Sequence, residues 1–126
     1  MIKVTVGQIV NAVPVLSKLV NEIFLGRKAF MVARLVREIN KEGETFEMAR
    51  AELIKKYGTK NENGELIITD GNIRIPAENL DACNDELSTL QHTDVEINAE
   101  KLPIDWLDDI GLTLSEAAAL EPFVDF

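Results

Sequence analysis

The chain has 126 residues, of which 46% are hydrophobic and 28% are charged, and its net charge is -9. This length and balance are typical of one folded domain and exclude an intrinsically disordered chain. The first apolar stretch, residues 4–25, is interrupted by polar side chains, which argues against a membrane span or a signal sequence. Because Cys83 is the single cysteine, no intramolecular disulfide can form, and a reducing cytoplasm is the expected compartment.

A first helix is predicted from Thr5 to Leu25. Thr5 and Gln8 have the spacing of a capping box. Apolar residues then recur every three or four positions, at Ile9, Val13, Leu16, Val20 and Ile23. Pro14 cannot donate a helical hydrogen bond, so either the helix kinks near Val10 or a short turn precedes a helix that begins at Pro14. We favour the kink, because the apolar pattern continues without a shift.

Gly26 is expected to end this first helix in a left-handed conformation. Residues 26–58 then predict one long amphipathic helix, of roughly 30 residues and ~45 Å. Its pattern consists of Ala29, Val32, Val36, Ile39, Gly43, Phe46, Arg50, Leu53 and Tyr57. Gly43 indicates a helix break or a close approach of two backbones, and a functional hinge is the alternative. Two helices with matching apolar faces predict an antiparallel helical hairpin over residues 1–58.

The last part of the long helix is the predicted surface for self-association. The first helix matches mainly residues 29–43, so a later part of the long helix needs another partner. We name this part the helical seam, and its residues are Phe46, Arg50, Leu53 and Tyr57. The β-hairpin described next, the helix after it or a second copy of the chain must cover it. Gly43 and Arg50 in the apolar pattern weaken a strict two-stranded coiled coil, but a homo-oligomer is expected.

A β-hairpin is predicted after the long helix, with Asp70 and Gly71 as a two-residue type I′ turn. The apolar residues on either side of this turn fall on one face of the two strands. The predicted pairs are Ile68 with Ile73 and Leu66 with Ile75. One face of the hairpin is therefore expected to belong to the core.

The loop before the hairpin partly matches a calcium-binding loop. Asn61 and Asn63 fall at its third and fifth positions, Gly64 at its sharp turn and Asp70 at its last position. Thr59 stands where Asp is usual, no Glu closes the loop, and a strand follows where a helix should begin. We therefore interpret the segment as an Asn-Gly turn and expect no metal or other cofactor.

Three further elements complete an α+β domain of residues 1–126, in which residues 59–126 form a β-hairpin and an acidic α/β part. A helix is predicted to begin at Pro76, with Leu80, Cys83, Leu87 and Leu90 on its apolar face. A short strand around Val95 and Ile97 could extend the hairpin. Thr113 and Glu116 form a second capping box, which opens a short helix that ends near Pro122.

The last two-fifths of the chain are strongly acidic. Residues 1–75 hold 12 Lys and Arg against 9 Asp and Glu, whereas residues 76–126 hold 1 against 13, a charge of -12. This charge argues against direct binding of nucleic acid. The predicted partner surface, which we name the acidic surface, consists of Asp105, Asp108, Asp109, Glu116, Glu121 and Asp125. The alternatives are a solvated acidic face and a carboxylate site for magnesium or acid–base chemistry.

Cys83 and His92 are the only members of their residue types. A nucleophilic pair would require them to meet beside a third orienting group, and zinc would need three or four ligands at fixed spacing. We interpret Cys83 as a structural residue of its helix and His92 as a surface residue. No catalytic residue is assigned, and the chain is not expected to be an enzyme.

Four segments together carry a resemblance to a known family. They are MIKVTVGQIV at 1–10, AELIKKYG at 51–58, NENGEL at 61–66 and LEPF at 120–123. The chain resembles small proteins of unknown function that are encoded by tailed bacteriophages and prophages of Gram-positive bacteria. The likeness covers most of the chain and is weakest at residues 81–93. It implies a phage origin and expression in the bacterial cytoplasm, but no reaction.

These observations predict a non-enzymatic interaction module that associates with itself through its helices and presents the acidic surface to a phage or host protein. The alternative is an acidic mimic of nucleic acid that inhibits a host nuclease or defence system. Such a mimic would space its carboxylates along one surface like phosphates. An enzyme would instead require a concave pocket with several convergent polar groups.

Overall fold

The computed structural model describes residues 1–69 and 72–126. In chain order the elements are β1 (Ile2–Thr5), α1 (Val6–Ala12), α2 (Leu16–Val20), α3 (Arg27–Tyr57), β2 (Ile68–Thr69), β3 (Asn72–Ile73), α4 (Ala77–Gln91), β4 (Asp94–Ile97), β5 (Leu102–Pro103), α5 (Leu114–Leu120) and β6 (Val124–Asp125). Short 3-10 turns lie at Val13–Val15, Ile104–Leu107 and Glu121–Phe123. The predicted α+β class with one long helix is confirmed.

The first helix begins where it was predicted and is interrupted near its proline. The Thr5 hydroxyl accepts a hydrogen bond from the Gln8 backbone N–H at 3.2 Å, and the Gln8 side chain accepts one from the Thr5 N–H at 2.9 Å. The 3-10 turn Val13–Val15 joins α1 to α2, with Pro14 in its first positions. The kink was predicted near Val10, and the interruption begins three residues later, at Val13.

The predicted end of this helix at Leu25 and Gly26 is wrong. The helix α2 ends at Val20, and Gly26, with φ 60°, caps the beginning of α3 instead. The side chains of Ile23 and Leu25 are 89% and 79% exposed, so no burial supports a longer helix there. The positive φ is one that glycine adopts without a steric penalty.

The long helix α3 runs for 31 residues without a break at Gly43. A Cβ atom at Gly43 would lie 3.0 Å from Val13 Cγ2. The prediction of a helix break at Gly43 is therefore wrong, and the atom that lies close to this position belongs to the Val13 side chain and not, as was predicted, to a second backbone. Together, α1, α2 and the first half of α3 form the predicted antiparallel helical hairpin. Leu35 and Ile39 of α3 are fully buried.

The strand β4 exists as predicted, but its partner is β1 and not the β-hairpin. The two strands are antiparallel, with Ile2 opposite Ile97 and Val4 opposite Val95. Ile2 and Ile97 are 2% and 1% exposed. The N-terminal strand, which the sequence analysis did not predict, therefore supplies the buried apolar face that β4 needs.

The β-hairpin pairs Ile68 with Ile73, as predicted, and its proposed turn at Asp70 and Gly71 lies outside the described residues. The second predicted pair, Leu66 with Ile75, is wrong. Leu66 pairs with Lys60 instead. The Thr59 backbone lies between the two sides of the β-hairpin. Its N–H donates to the Arg74 carbonyl at 2.8 Å, and its carbonyl accepts from the Ile67 N–H at 2.8 Å. Thr59 thus takes the hydrogen bonds that Ile67 and Arg74 would form with each other in the predicted hairpin.

The main core lies between the helical hairpin, the β1–β4 pair and the C-terminal segment. The parallel strands β5 and β6 hold the C-terminal segment, with Leu102 opposite Val124. Phe123 and Val124 are buried, whereas Phe126 is 77% exposed. The helix α4, whose N-cap is Pro76, packs against α3. The C-terminal apolar residues are therefore divided between the core and the surface.

Candidate interaction surfaces

An open furrow runs along one side of the helical hairpin, between α3 and the segment that contains α1 and α2. It consists of two neighbouring grooves, of about 780 Å³ and about 740 Å³, which share Asn40 and Glu44 as lining residues. Along α3 it extends from Ala29 to Met48, which is ~29 Å at 1.5 Å per residue. We name this feature the hairpin furrow.

The walls of the hairpin furrow are mainly apolar. The apolar lining residues are Val10, Val13, Pro14, Leu19, Val20, Ile23, Phe24, Ala29, Val32, Ala33, Val36, Gly43, Phe46 and Met48. Val20, Ile23 and Met48 are 65%, 89% and 71% exposed. Contiguous exposed apolar surface on a folded chain marks an interaction site more often than chance. The furrow is therefore the first candidate for a functional surface.

The charged side chains that α3 contributes to the furrow change sign along the helix. Arg37 and Lys41 border the first groove, Glu44 borders both grooves, and Glu47 borders the second. Glu22, which is not part of α3, also borders the first groove. Glu47 forms an exposed ion pair with Arg50 at 3.6 Å. Within residues 1–69 and 72–126, Arg37, Lys41 and Glu44 form no ion pair. One positive and one negative group thus lie along a single apolar furrow.

The helical seam is partly covered within the chain. Phe46 is 5% exposed, Leu53 and Tyr57 are half-buried, and Arg50 is exposed. The Asn79 amide of α4 donates a hydrogen bond to the Tyr57 carbonyl at 3.3 Å, which fixes this helix beside the end of α3. Self-association through the helical seam stays a prediction.

An ion pair strengthens this contact between α3 and α4. Lys56 Nζ lies 3.1 Å from Glu86 Oε1. The Tyr57 hydroxyl and the Lys56 ammonium lower the pKa of Glu86, and the Glu86 carboxylate raises the pKa of Lys56. Both shifts favour the charged forms of the pair at neutral pH.

Five residues of the acidic surface are exposed: Asp105, Asp108, Asp109, Glu121 and Asp125. The sixth, Glu116, is half-buried and belongs to the capping box of α5, where it accepts from the Thr113 N–H at 2.9 Å. Lys18 Nζ lies 3.8 Å from its carboxylate. The Thr113 backbone N–H, followed by Lys18, lowers the pKa of Glu116. Glu116 therefore connects α5 to α2, and the binding role of the acidic surface stays a prediction.

The loop with a likeness to calcium sites uses its polar groups internally. Asn61 Oδ1 accepts hydrogen bonds from the Asn63 N–H at 2.9 Å and the Glu65 N–H at 3.0 Å, and Gly64 has φ 79°. These contacts are typical of the predicted Asn-Gly turn. Asp70 lies outside the described residues. In the described part of the chain, no group of three or more His, Cys, Asp and Glu residues could hold a metal ion.

Cys83 and His92 occupy different environments on α4. Cys83 is 5% exposed, whereas His92 is exposed at the C-cap of the helix. The His92 Nδ1–H donates to the Ser88 carbonyl across 2.7 Å. These positions agree with the predicted structural cysteine and surface histidine.

The sequence analysis missed the hairpin furrow because it assigned Val20 and Ile23 to a buried helix face. A signal was present in α3, where Ala29, Ala33 and Val36 lie beside the buried positions Val32 and Leu35. This apolar band is wider than one antiparallel helix covers.

Comparison of the chain with protein-family models, with curated proteins and with solved structures gives no match. The resemblance to small phage and prophage proteins therefore stays a prediction. Among the residues that the structure describes, no helix combines the length and the apolar character that are needed to cross a bilayer.

Proposed function

We propose that the protein is a non-enzymatic interaction module, which associates with itself through its helices and presents its acidic surface to a basic protein of the phage or its host. The observation that carries this proposal is the hairpin furrow. It is an exposed apolar surface on a chain whose main core is already closed by other elements. Apolar surface left open in this way is stabilised by contact with another protein.

The polar groups of the chain support a binding role over catalysis. Catalytic sites bring several polar groups together in a concave pocket and shift their pKa values. In the described residues, no polar or charged residue is fully buried. The shifted carboxylates, Glu86 and Glu116, are accounted for by a helix–helix contact and a helix cap. Neither borders the hairpin furrow.

The charge distribution supports a basic partner for the C-terminal part. Five carboxylates of the acidic surface are exposed, and residues 76–126 contain Lys101 as their only cation. Such a surface attracts a positively charged protein and repels nucleic acid. The resemblance to phage proteins and the single cysteine support expression in the bacterial cytoplasm.

Site-specific photo-crosslinking in bacterial cells tests this proposal. A photoreactive amino acid replaces Ala33 in the hairpin furrow, Ala118 near the acidic surface, or Ala82 on the exposed side of α4 as the matched control. All three are helical alanines, so the replacements have similar local effects. Protein adducts are expected at Ala33 and Ala118 but not at Ala82. The adducts are separated by mass and identified.

Two results would contradict the proposal. One is the absence of any protein adduct at Ala33 and Ala118. The other is an equal set of adducts at all three positions, which would indicate collision without specific contact. Adducts with nucleases or defence proteins alone at Ala118 would instead support the nucleic-acid mimic.

A further inference from the structure

We infer that the hairpin furrow is occupied by α3 of a second copy of the chain, packed antiparallel about a two-fold axis. This inference rests on the proposed function and names the partner of the furrow. Most stable dimers of identical chains are two-fold symmetric, so the same surface of each copy must be complementary to itself. The charges and the apolar relief of the furrow both satisfy this condition.

The charges satisfy it because they change sign along α3. An axis that crosses α3 at the level of residues 41–43 brings Arg37 opposite Glu47 of the partner subunit. It also brings Lys41 beside Glu44 of the partner subunit. Symmetry repeats each contact, so four pairs of opposite charge border the joint interface. A parallel arrangement would instead bring like charges together along the whole furrow.

The shape of the apolar side chains in the furrow is also complementary to itself, at the same register of the two helices. Met48, which is 71% exposed, lies opposite Val36 of the partner subunit, whose side chain lines the first groove. Ala33, a small residue on that groove, leaves room for a neighbouring helix to approach. Each hairpin supplies two helical segments, so the dimer would be an antiparallel four-helix arrangement.

The like charges that this symmetry relates do not enter the interface. Arg34 of one copy would be level with Arg50 of the partner subunit, but neither residue lines either groove of the furrow. Glu22 also borders the first groove, and it lies outside α3 in the segment that follows α2. The furrow thus contains complementary charges at its centre and exposed apolar side chains on both sides of them.

Charge reversal and mixing test the inference. The acidic variant carries Arg37→Glu and Lys41→Glu, and the basic variant carries Glu44→Lys and Glu47→Lys. In a mixed pair of these two variants all four contacts again join opposite charges, whereas each variant alone repels itself. The control variant, Glu62→Lys with Glu65→Lys, changes the net charge as much as the basic variant but lies in the exposed loop after α3. Circular dichroism verifies that all are folded.

Sedimentation velocity at tens of micromolar gives the outcome. The wild-type and control proteins are expected to be dimers, each reversed variant alone a monomer with at least about tenfold weaker association, and their equimolar mixture a dimer. A monomeric wild type would overturn the inference. So would a dimer that the reversals leave intact, especially one that Leu53→Asp in the helical seam disrupts.

The two proposals fail separately. If Ala33 or Ala118 forms adducts with another protein in cells while the purified chain stays monomeric, the role in binding another protein stands, and both self-association and the second copy in the furrow do not. If purified chains dimerise as described but no adduct forms at Ala33 or Ala118 in cells, the dimer stands and the cellular role does not.

Discussion

The two ends of α3 are buried in different ways. Near its beginning, Val32, Leu35 and Ile39 are 4%, 1% and 0% exposed within the main core, yet the adjoining flank is an open furrow. Near its end, Leu53 and Tyr57 are only half-buried, but α4 lies beside this part of the helix, with Asn79 bonded to the Tyr57 carbonyl. The first region is deeply packed on one side and open on the other, and the second is shallowly packed and largely covered by the chain itself.

This difference shows that the depth of burial and the completeness of cover are separate properties of a helix. Apolar residues at helical spacing indicate that a helix has a partner, but not how many partners it has. The region with the deepest core contacts is therefore also the one whose flank stays open. The region that the sequence pattern left unpartnered is partly covered by α4, whose Glu86 pairs with Lys56.

Alanine substitution on the two halves of α3 gives the largest expected contrast. Ile39→Ala should lower the free energy of unfolding by about 2–5 kcal/mol, because the side chain is fully buried. Leu53→Ala should lower it by about 1–2 kcal/mol, because part of its area is already exposed. Urea denaturation measures both, with Leu114→Ala, at 91% exposure, as a control below about 0.5 kcal/mol. Equal losses at Ile39 and Leu53 would contradict the comparison.

Two glycines sharpen the same comparison. Gly58→Ala should destabilise the protein by about 1–3 kcal/mol, because the new Cβ would lie 2.7 Å from both Ile73 Cγ2 and the Ile54 carbonyl oxygen. Gly43→Ala should change stability by less than about 1 kcal/mol, since the helix gains nearly that amount from alanine and loses it to the 3.0 Å contact with Val13. Thermal unfolding of both variants decides the matter. A larger loss of stability for Gly43→Ala than for Gly58→Ala would contradict this, because it would mean that α3 is packed more tightly at Gly43 than at Gly58.

Removal of the capping box of α5 should have a smaller effect on the free energy of unfolding. Thr113→Ala should cost about 1 kcal/mol, because its hydroxyl accepts from the Glu116 N–H at 3.1 Å. Ser115→Ala, one position before Glu116 on the exposed side, is the control. An unchanged denaturation midpoint for Thr113→Ala would show that Glu116 and Lys18 are held without the cap.

A pH series isolates the contact between α3 and α4. The folded-state pKa of Glu86 is lowered from its ordinary value of 4.5 by the Tyr57 hydroxyl and Lys56. Its stabilising contribution is therefore complete above pH 4.5 and is lost as the pH falls through the lower folded-state pKa. Glu86→Gln should be less stable than wild type at neutral pH, with the difference vanishing on acidification. A difference that persists at low pH would assign the effect to packing.

The sequence predicted the elements whose signals are local. Both capping boxes, the pairing of Ile68 with Ile73 and the helix after Pro76 depend on residues a few positions apart, and all are present. The partner of β4 could not be predicted, because β1 is four residues long and lies about ninety residues away in the chain. Pairing over such a separation depends on the whole core and not on local pattern.

The candidate surfaces were predicted less completely for the same reason. The acidic surface follows from composition, and five of its six residues are exposed, but the role of Glu116 as a cap with Lys18 required the tertiary structure. The hairpin furrow depends on where α2 ends. Because the apolar pattern continues to Ile23 beyond the helix itself, the sequence alone predicted a covered face there.

Hydrogen exchange at low and at high micromolar protein concentration tests the central claim most directly. If a second copy occupies the hairpin furrow, exchange should slow with concentration in Leu16–Val20 and in residues 29–48 of α3. Exchange in residues 50–57 and in α4 should stay the same, because the chain itself covers them. Concentration-dependent slowing confined to residues 50–57 and α4, or no dependence on concentration anywhere, would contradict the account.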